Sequence, residues 1–372
     1  MKTPRFAPIP AALPATVPFT GPETLQRRLG RPFAARLGAN ENGFGPSPRA
    51  VEAMRAEAGL VWQYGDSVSF DLVQALAGRL GVTPGHIQVG EGIDGLLGLL
   101  VRLMIAPGDA VVTSDGAYPT FNYHVAGFGG VLHKAPYRDD AEDPQALLDL
   151  AWRTGARLVY LANPDNPMGS WLAGGAIEEM VAMLPEDCLL ILDEAYAEFA
   201  PAEAVPQISA DDPRVIRMRT FSKAYGMAGA RVGYAIGHPE LIAGFDRIRN
   251  HFGMCRISQA GALAALGDED WLAHIRTSTA AARDRIGRIG AENGLRALPS
   301  ATNFVALDTA RDGAFARQLV AALETEGVFV RMPGVAPLDR CIRISCAPAP
   351  ELDVLAETLP RALARLRHPS HP

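Results

Sequence analysis

Lysine is rare in this chain, and Lys223 is the lysine whose surroundings could support chemistry. It is one of three lysines among the 35 lysines and arginines. A lysine amine that has lost its proton can attack a carbonyl, whereas arginine stays protonated. Residues 220–233 surround Lys223 with small side chains, the Ser222 hydroxyl and the Arg231 guanidinium. This loop favours an aldehyde cofactor that carries a phosphate, and the alternative is a surface lysine in a glycine-rich turn.

An acidic side chain closes a run of apolar residues upstream of this loop. Asp193 follows residues 188–192, which are typical of a buried strand. A carboxylate at that place is costly without a cationic partner. A protonated pyridine nitrogen would be such a partner, and Tyr196 could reach the same ring. The alternative is that Asp193 caps a helix.

Two other polar segments lie next to predicted strands or helices. In residues 161–169, two X-Pro bonds and a glycine fix a stiff turn that would aim the Asn166 amide inward. A plain turn explains the prolines and the glycine, but not the second asparagine. Residues 92–95 precede an apolar helix whose first N–H groups could hold a phosphate. The alternative there is a simple N-cap by Asp94.

Composition and charge exclude several classes of function. The 372 residues carry a net charge of −6 and are 48% hydrophobic and 20% charged, so a broad basic surface for nucleic acid is not expected. The sequence has no apolar run long enough to span a bilayer and no signal-peptide pattern, which favours the cytoplasm. The histidines and the four cysteines lack the spacing of metal ligands, so no metal is expected.

The chain is long enough for two domains. Short apolar runs alternate with amphipathic segments, which predicts a mostly parallel sheet covered by helices on both faces. The expected strands of this sheet lie at 109–113, 131–133, 157–161, 188–192, 215–218 and 232–236. A helix over 258–293 is expected to lead to strands at 304–307, 327–330 and 342–345 and to helices at 313–326 and 350–366. We predict an arm at 1–45 that joins the small domain and has a short helix near 23–29, a large domain at 46–257, and a small α+β domain at 258–372.

The polar motifs occur in an order that is typical of one enzyme family. Asn-Pro-x-Asn-Pro-x-Gly at 163–169, Asp-Glu-x-Tyr at 193–196, Ser-Lys at 222–223 and an arginine eight residues later resemble the fold-type-I pyridoxal-phosphate enzymes. Segments 37–48, 63–66 and 341–344 are most similar to the histidinol-phosphate aminotransferase group within them. The resemblance runs from about residue 37 to the C-terminus. It implies an aspartate-aminotransferase-like α/β fold, with a mostly parallel seven-stranded sheet in a large cofactor-binding domain and a smaller α+β domain.

The resemblance also implies roles for individual residues. Lys223 would bind pyridoxal 5'-phosphate covalently and shuttle a proton, and Asp193 would pair with its pyridinium nitrogen. The other cofactor contacts would be Tyr196 and Asn166 at the phenolic oxygen, Phe121 stacked on the ring, and Ser222, Arg231, the backbone of Ile93 and Asp94, and Tyr64 of a neighbouring subunit at the phosphate. Arg343 would bind the substrate's anionic group, with Arg331, Asn40 and Phe19 also at the substrate site.

The implied activity is transamination by a homodimer, with histidinol phosphate or a related aromatic amino acid as donor and 2-oxoglutarate as acceptor, in histidine biosynthesis. The arm departs from the group's pattern, because Phe19 stands where a tyrosine hydroxyl helps hold the substrate phosphate. A decarboxylase of the threonine-phosphate type is the alternative enzyme, since the same cofactor serves as its electron sink. A cofactor-sensing transcription regulator would need a fused DNA-binding domain, for which this chain has no room.

Overall fold

The computed structural model describes residues 5–15 and 20–367 of the chain. Its strands are β1 (Ala35–Arg36), β2 (Ile87–Gly90), β3 (Ala110–Ser114), β4 (Val131–Ala135), β5 (Leu158–Ala162), β6 (Leu189–Asp193), β7 (Val215–Thr220), β8 (Gly233–Gly237), β9 (Arg296–Ala297), β10 (Phe304–Asp308), β11 (Val328–Phe329) and β12 (Cys341–Ser345). Strands β2 to β8 form one sheet, and the remaining strands form two smaller ones.

The large sheet has the strand order β2-β8-β7-β6-β5-β3-β4. The pairs β3–β4, β3–β5, β5–β6 and β6–β7 are parallel, and β8 runs antiparallel to both of its neighbours. Every residue of β5 and β6 is buried, because apolar side chains pack against both faces of the sheet. The predicted α/β fold with a mostly parallel seven-stranded sheet is confirmed.

The helices frequently begin at a proline, which suits the first turn because its missing N–H would have had no helical partner there. They are α1 (Pro8–Ala12), α2 (Pro22–Leu29), α3 (Pro48–Ala58), α4 (Phe70–Leu80), α5 (Gly92–Met104), α6 (Pro119–Gly127), α7 (Pro144–Thr154), α8 (Gly174–Ala182), α9 (Pro239–Gly244), α10 (Arg256–Leu266), α11 (Glu269–Glu292), α12 (Gly313–Thr325) and α13 (Ala349–Arg367). None of the helices in the described residues is long and apolar enough to cross a bilayer.

A smaller α+β unit follows the large sheet in the chain. Strands β9, β10 and β12 pair antiparallel, and α11, α12 and α13 pack over a core that includes Ile286, Leu319 and Leu355. The arm reaches this unit, because β1 pairs parallel with β11 and places Ala35 opposite Val328. The domain boundaries at residues 45 and 257 stay a prediction.

Two expectations about local structure need correction. The single helix expected over 258–293 is wrong, because α10 ends at Leu266 and α11 begins at Glu269. Asp268 lies between them, and its side chain caps α11 by accepting a hydrogen bond from the Trp271 N–H at 3.4 Å. Strand β2 was not predicted, since it is a four-residue strand at the edge of the sheet and its Gln88 interrupts the apolar run. The short helix expected near residues 23–29 is present as α2.

Candidate active site

The predicted polar residues meet at one end of the large sheet. Asn166 follows β5, Asp193 ends β6, and Lys223 lies three residues after β7, so parallel strands bring them to the same edge. They share a cavity of about 150 Å³. Its lining consists of Ile93, Asp94, Tyr118, Tyr160, Ala162, Pro164, Asn166, Asp193, Ala195, Tyr196, Thr220, Ser222, Lys223, Ala228 and Arg231.

The Lys223 amine lies in this cavity, in surroundings that lower its pKa. Its Nζ donates a hydrogen bond to the Asn40 backbone carbonyl at 3.1 Å. Burial is the main cause that lowers the pKa of Lys223 to about 8, and the nearby Arg343 guanidinium acts in the same direction. A substantial fraction of the amine is therefore neutral near pH 8, which is the form that attacks a carbonyl.

Asp193 is a buried carboxylate whose two oxygens are held in place. Its Oδ2 accepts a hydrogen bond from the Tyr160 hydroxyl at 2.6 Å, and its Oδ1 accepts one from the Ala195 N–H at 2.9 Å. Burial raises its pKa to about 6, and the hydrogen bonds oppose that rise. No ion pair to Asp193 is present in the described part of the chain. Its neighbour Glu194 faces away and pairs with Arg217 and Arg219.

Tyr196 and Asn166 complete the part of the cavity that faces the lysine. The Tyr196 hydroxyl accepts a hydrogen bond from the Asn40 side-chain amide at 3.1 Å, and burial raises the pKa of Tyr196 to about 12. The Asn166 Oδ1 accepts a hydrogen bond from Arg343 Nη1 at 2.5 Å. A protonated tyrosine hydroxyl and an asparagine amide are both able to donate to an oxygen placed between them.

The start of α5 and the loop after β7 form the polar end of the cavity. The first-turn N–H groups of Ile93 and Asp94 have no partner within the helix, and the helix dipole favours an anion there. Ser222 Oγ accepts hydrogen bonds from Thr220 Oγ1 at 2.9 Å and from Arg231 Nη1 at 3.4 Å. Gly92 has a φ of +78°, and a Cβ at this position would collide with the Arg231 guanidinium. The absence of a Cβ therefore lets the Arg231 guanidinium approach the helix start, where its positive charge adds to the attraction of the helix dipole for an anion.

Two arginines lie next to this cavity on the side of the smaller unit. Arg343, in β12, and Arg331 form an antiparallel bridge, in which the Arg343 N–H donates to the Arg331 carbonyl at 2.6 Å. Burial lowers the pKa of Arg343 to about 10. Its Nε is buried and has no hydrogen-bond partner among the described residues. Arg331 Nη2 donates to the carbonyl of Thr20 in the arm at 3.0 Å.

Two of the predicted cofactor contacts, Tyr64 and Phe121, do not line the cavity. Tyr64 is 79% exposed, and its ring lies 4.8 Å from the ring of Phe252. Phe121 is fully buried behind the cavity and stacks on Tyr160, with ring centroids 4.7 Å apart and an interplanar angle of 18°. Its predicted position against the cofactor ring is therefore corrected, because the residue from that segment that lines the cavity is Tyr118. Phe19 lies outside the described residues.

Sequence reasoning missed two tyrosines of the site. Tyr118 precedes Pro119, and its hydroxyl donates to Asp94 Oδ1 at 2.9 Å. Tyr160 lies in the middle of β5, where every residue is buried. A hydroxyl in such a strand needs a hydrogen-bond partner, and this requirement was a usable signal for Tyr160. Tyr118 had no comparable signal, because it falls in a polar loop after β3.

The residues present fit an aldehyde cofactor that carries a phosphate and a basic ring nitrogen. The buried amine, the buried carboxylate, which has no ion-pair partner among the described residues, and the helix start, whose dipole favours an anion, lie in one cavity. The family model for aminotransferase class I and II matches residues 35–359. The chain belongs to this family.

Relatives and solved structures agree with that membership. Histidinol-phosphate aminotransferase from Moorella thermoacetica is 33% identical over 92% of this chain and 89% of its own length. Histidinol-phosphate aminotransferase 2 from Pseudomonas aeruginosa is 35% identical over 92% of this chain and 93% of its own. The crystal structure of the Sinorhizobium meliloti enzyme in complex with pyridoxal 5'-phosphate has a TM-score of 0.95 and 55% identity, and covers 98% of this chain and 99% of that one.

A more distant structure defines only the fold. Aspartate aminotransferase from Thermus thermophilus, solved with maleate, has a TM-score of 0.81 and 22% identity over 97% of this chain and all of that one. The predicted fold type and cofactor are confirmed. The protein is a pyridoxal-phosphate-dependent aminotransferase, and the bound cofactor supplies the electron sink for the reaction.

Proposed function

We propose that this aminotransferase transfers an amino group from histidinol phosphate, or from a related aromatic amino acid, to 2-oxoglutarate. The observation that carries the proposal is the pair of arginines beside the cofactor cavity. Arg343 contacts Asn166 of that cavity, and Arg331 is joined to Arg343 through the backbone. The names of the relatives support histidinol phosphate as the donor. A role in histidine biosynthesis in the cytoplasm would follow from this substrate.

The two half-reactions require one pocket that accepts different anions in turn. A guanidinium forms paired hydrogen bonds with either a phosphate or a carboxylate. The Arg343 Nε, which is buried and lacks a partner in the described residues, is the donor that an incoming anion would satisfy. Arg343 therefore suits both the phosphate ester of the donor and a carboxylate of the acceptor.

The roles of the remaining site residues form part of the same proposal. Lys223 holds the cofactor and moves the proton between substrate carbon and cofactor carbon, for which its lowered pKa suits it. Asp193 keeps the ring nitrogen protonated. Tyr196 and Asn166 donate to the phenolic oxygen. The phosphate is bound by Ser222, Arg231 and the N–H groups of Ile93 and Asp94, and Asn40 orients Lys223 and Tyr196 next to the substrate.

The working unit in this proposal is a homodimer in which Tyr64 reaches the phosphate of the neighbouring subunit. Trp62, Tyr64, Phe70 and Phe252 are 54–79% exposed, and large apolar side chains left in water mark a surface for association. Val68, which lies close to Tyr64 and Phe70 in the sequence, is among the residues that line a cavity of about 690 Å³. A second copy that covers this face would bring two shared sites together.

Sedimentation of matched tryptophan variants tests the dimer. Trp62→Asp places a charge in the exposed apolar patch, and we expect a monomer with little activity. Trp152→Asp is the control, because Trp152 is 61% exposed and belongs to α7, away from that patch in the sequence. A wild-type monomer that is active at assay concentrations would show that the second subunit is unnecessary.

A panel of amino donors tests the substrate assignment. Histidinol phosphate, phenylalanine and glutamate are each added to the loaded enzyme, and the loss of the visible absorbance of the bound cofactor is followed. We expect histidinol phosphate, glutamate and phenylalanine to react, with 2-oxoglutarate restoring the absorbance. Failure of histidinol phosphate would reject this donor. An amine product formed without any keto acid would identify the decarboxylase instead.

A further inference from the structure

A buried tyrosine hydroxyl holds the carboxylate that faces the cofactor ring. Tyr160 is fully buried in the middle of β5, and β5 pairs in parallel with β6, which ends at Asp193. The hydroxyl donates to Asp193 Oδ2 at 2.6 Å, a length typical of an O–H to carboxylate hydrogen bond. Both residues line the cofactor cavity.

Packing around the Tyr160 ring restricts its rotation and keeps its hydroxyl next to Asp193. Phe121 lies parallel to it, with centroids 4.7 Å apart, and is itself fully buried. On the other side of the carboxylate, the Ala195 N–H holds Oδ1 at 2.9 Å. The carboxylate is therefore fixed from two directions, and each oxygen keeps a second lone pair that can accept a further proton donor.

We propose, on the basis of the role proposed above for Asp193, that Tyr160 is a positioning residue that keeps Asp193 ionised and aimed at the ring nitrogen of pyridoxal phosphate. An O–H group donates a stronger hydrogen bond to a carboxylate than to a carboxylic acid. The contact therefore favours the charged form of Asp193. The charged form is the one that pairs with a protonated ring nitrogen. Phe121 acts through this tyrosine by fixing its ring.

Other groups also act on the charge of Asp193. Asp94, at the start of α5, disfavours its ionised form, and Lys223, after β7, favours it. Glu142 and the hydroxyls of Tyr118 and Tyr196 interact electrostatically with it from the remaining sides. Burial is the largest single cause that raises the pKa of Asp193, to about 6, and the Tyr160 hydrogen bond is the largest that opposes it.

Cofactor binding to the apoenzyme between pH 5 and 8 tests the role of Tyr160. In Tyr160→Phe the ring and its stacking on Phe121 are kept and the hydroxyl is lost. Since the hydrogen bond lowers the pKa of Asp193, its loss raises that pKa. We expect the acidic midpoint of pyridoxal-phosphate affinity to move upward by about one pH unit, and affinity at pH 6 to fall by roughly fivefold to tenfold.

Tyr137→Phe provides the matched control. The Tyr137 hydroxyl donates to Asp165 Oδ1 at 2.8 Å, and burial raises the pKa of Asp165 to about 7. Asp165 is buried and Tyr137 is partly buried, and neither residue lines the cofactor cavity. We expect the acidic midpoint of cofactor affinity to stay at its wild-type value in Tyr137→Phe.

A second variant distinguishes positioning from a loss of packing. Replacing Tyr160 by 3-fluorotyrosine makes the hydroxyl a stronger donor with almost no change in shape. We expect the acidic midpoint to move downward, opposite to the effect of Tyr160→Phe. The proposal is overturned if Tyr160→Phe keeps the wild-type midpoint, or if the fluorinated protein moves it in the same direction as Tyr160→Phe.

Discussion

In the proposed function the active site has a cofactor wall and a substrate wall, which are built in different ways. The cofactor wall, formed by Asp193, Tyr196 and Lys223, lies at the ends of neighbouring strands of the large sheet, and hydrogen bonds within the chain hold its polar atoms. The substrate wall, formed by Arg331 and Arg343, comes from the smaller unit, where Arg331 is held by the arm and the Arg343 Nε is unpartnered in the described residues. In the proposed function, cofactor chemistry is therefore set at the edge of the large sheet, whereas substrate choice depends on how the smaller unit and the arm meet that edge.

Removal of the lysine is expected to have the largest effect on the cofactor wall. In Lys223→Ala the nucleophile and the proton shuttle are lost together, so turnover should fall by several orders of magnitude. Lys223→Arg keeps a positive charge and is the control, with an equally large loss expected because arginine does not deprotonate. Single-turnover kinetics with glutamate measures both. Near-normal transamination by Lys223→Ala would show that this loop is not catalytic.

The next effect concerns the charge of the cofactor wall. Asp193→Asn keeps the shape of the side chain but removes the partner of the ring nitrogen. Breaking a buried charge pair costs about 3–5 kcal/mol, or roughly a hundredfold to several thousandfold in rate. We expect kcat to fall by that factor while some cofactor binding persists. Wild-type rates in Asp193→Asn would mean that Asp193 only ends its strand.

Much of the cofactor wall could be predicted from the sequence because its signals are local. A carboxylate that ends an apolar strand and a lysine in a small-residue loop can each be recognised from the adjacent residues in the sequence. Parallel strands then bring them to one edge of the sheet. Tyr160 was missed because its partner Asp193 is 33 residues away and only the β5–β6 register joins them. The break between α10 and α11 was missed because Asp268 looks like an ordinary polar residue within a long amphipathic pattern. Its side chain in fact caps the start of α11.

The substrate wall should respond more moderately to substitution. Arg343→Lys keeps the charge but loses the planar fork that binds phosphate and carboxylate in pairs. A lost hydrogen bond to a charged group costs about 1.5–3 kcal/mol, which corresponds to roughly one to two decades in affinity. We expect KM to rise by that factor for both histidinol phosphate and 2-oxoglutarate, with little change in cofactor affinity. A change in KM for only one of them would mean that the two anions occupy different sites.

A substitution in the arm is expected to have a smaller effect, namely higher selectivity for histidinol phosphate over phenylalanine. Phe19 precedes Thr20, whose carbonyl accepts a hydrogen bond from Arg331 at 3.0 Å. Phe19→Tyr adds one hydroxyl donor for a substrate phosphate, and we expect kcat/KM for histidinol phosphate to rise relative to phenylalanine by about tenfold. Wild type should accept phenylalanine comparatively well. A strong native preference for histidinol phosphate that Phe19→Tyr does not improve would reject a role for the arm.

The smallest expected effect links the two walls through charge. The neutral Lys223 amine is the form that captures the cofactor, so the rate of cofactor incorporation into the apoenzyme should rise with pH through the lysine pKa of about 8. Arg343 lowers that pKa, and its removal in Arg343→Met stabilises the ammonium, so the midpoint should move upward. Glu41 acts in the opposite direction, and Glu41→Gln should move the midpoint downward. Because both charges are felt through space, we expect shifts of less than about one pH unit. Stopped-flow absorbance from pH 6 to 10 measures them, and identical midpoints in the three proteins would show that the substrate wall does not influence the lysine.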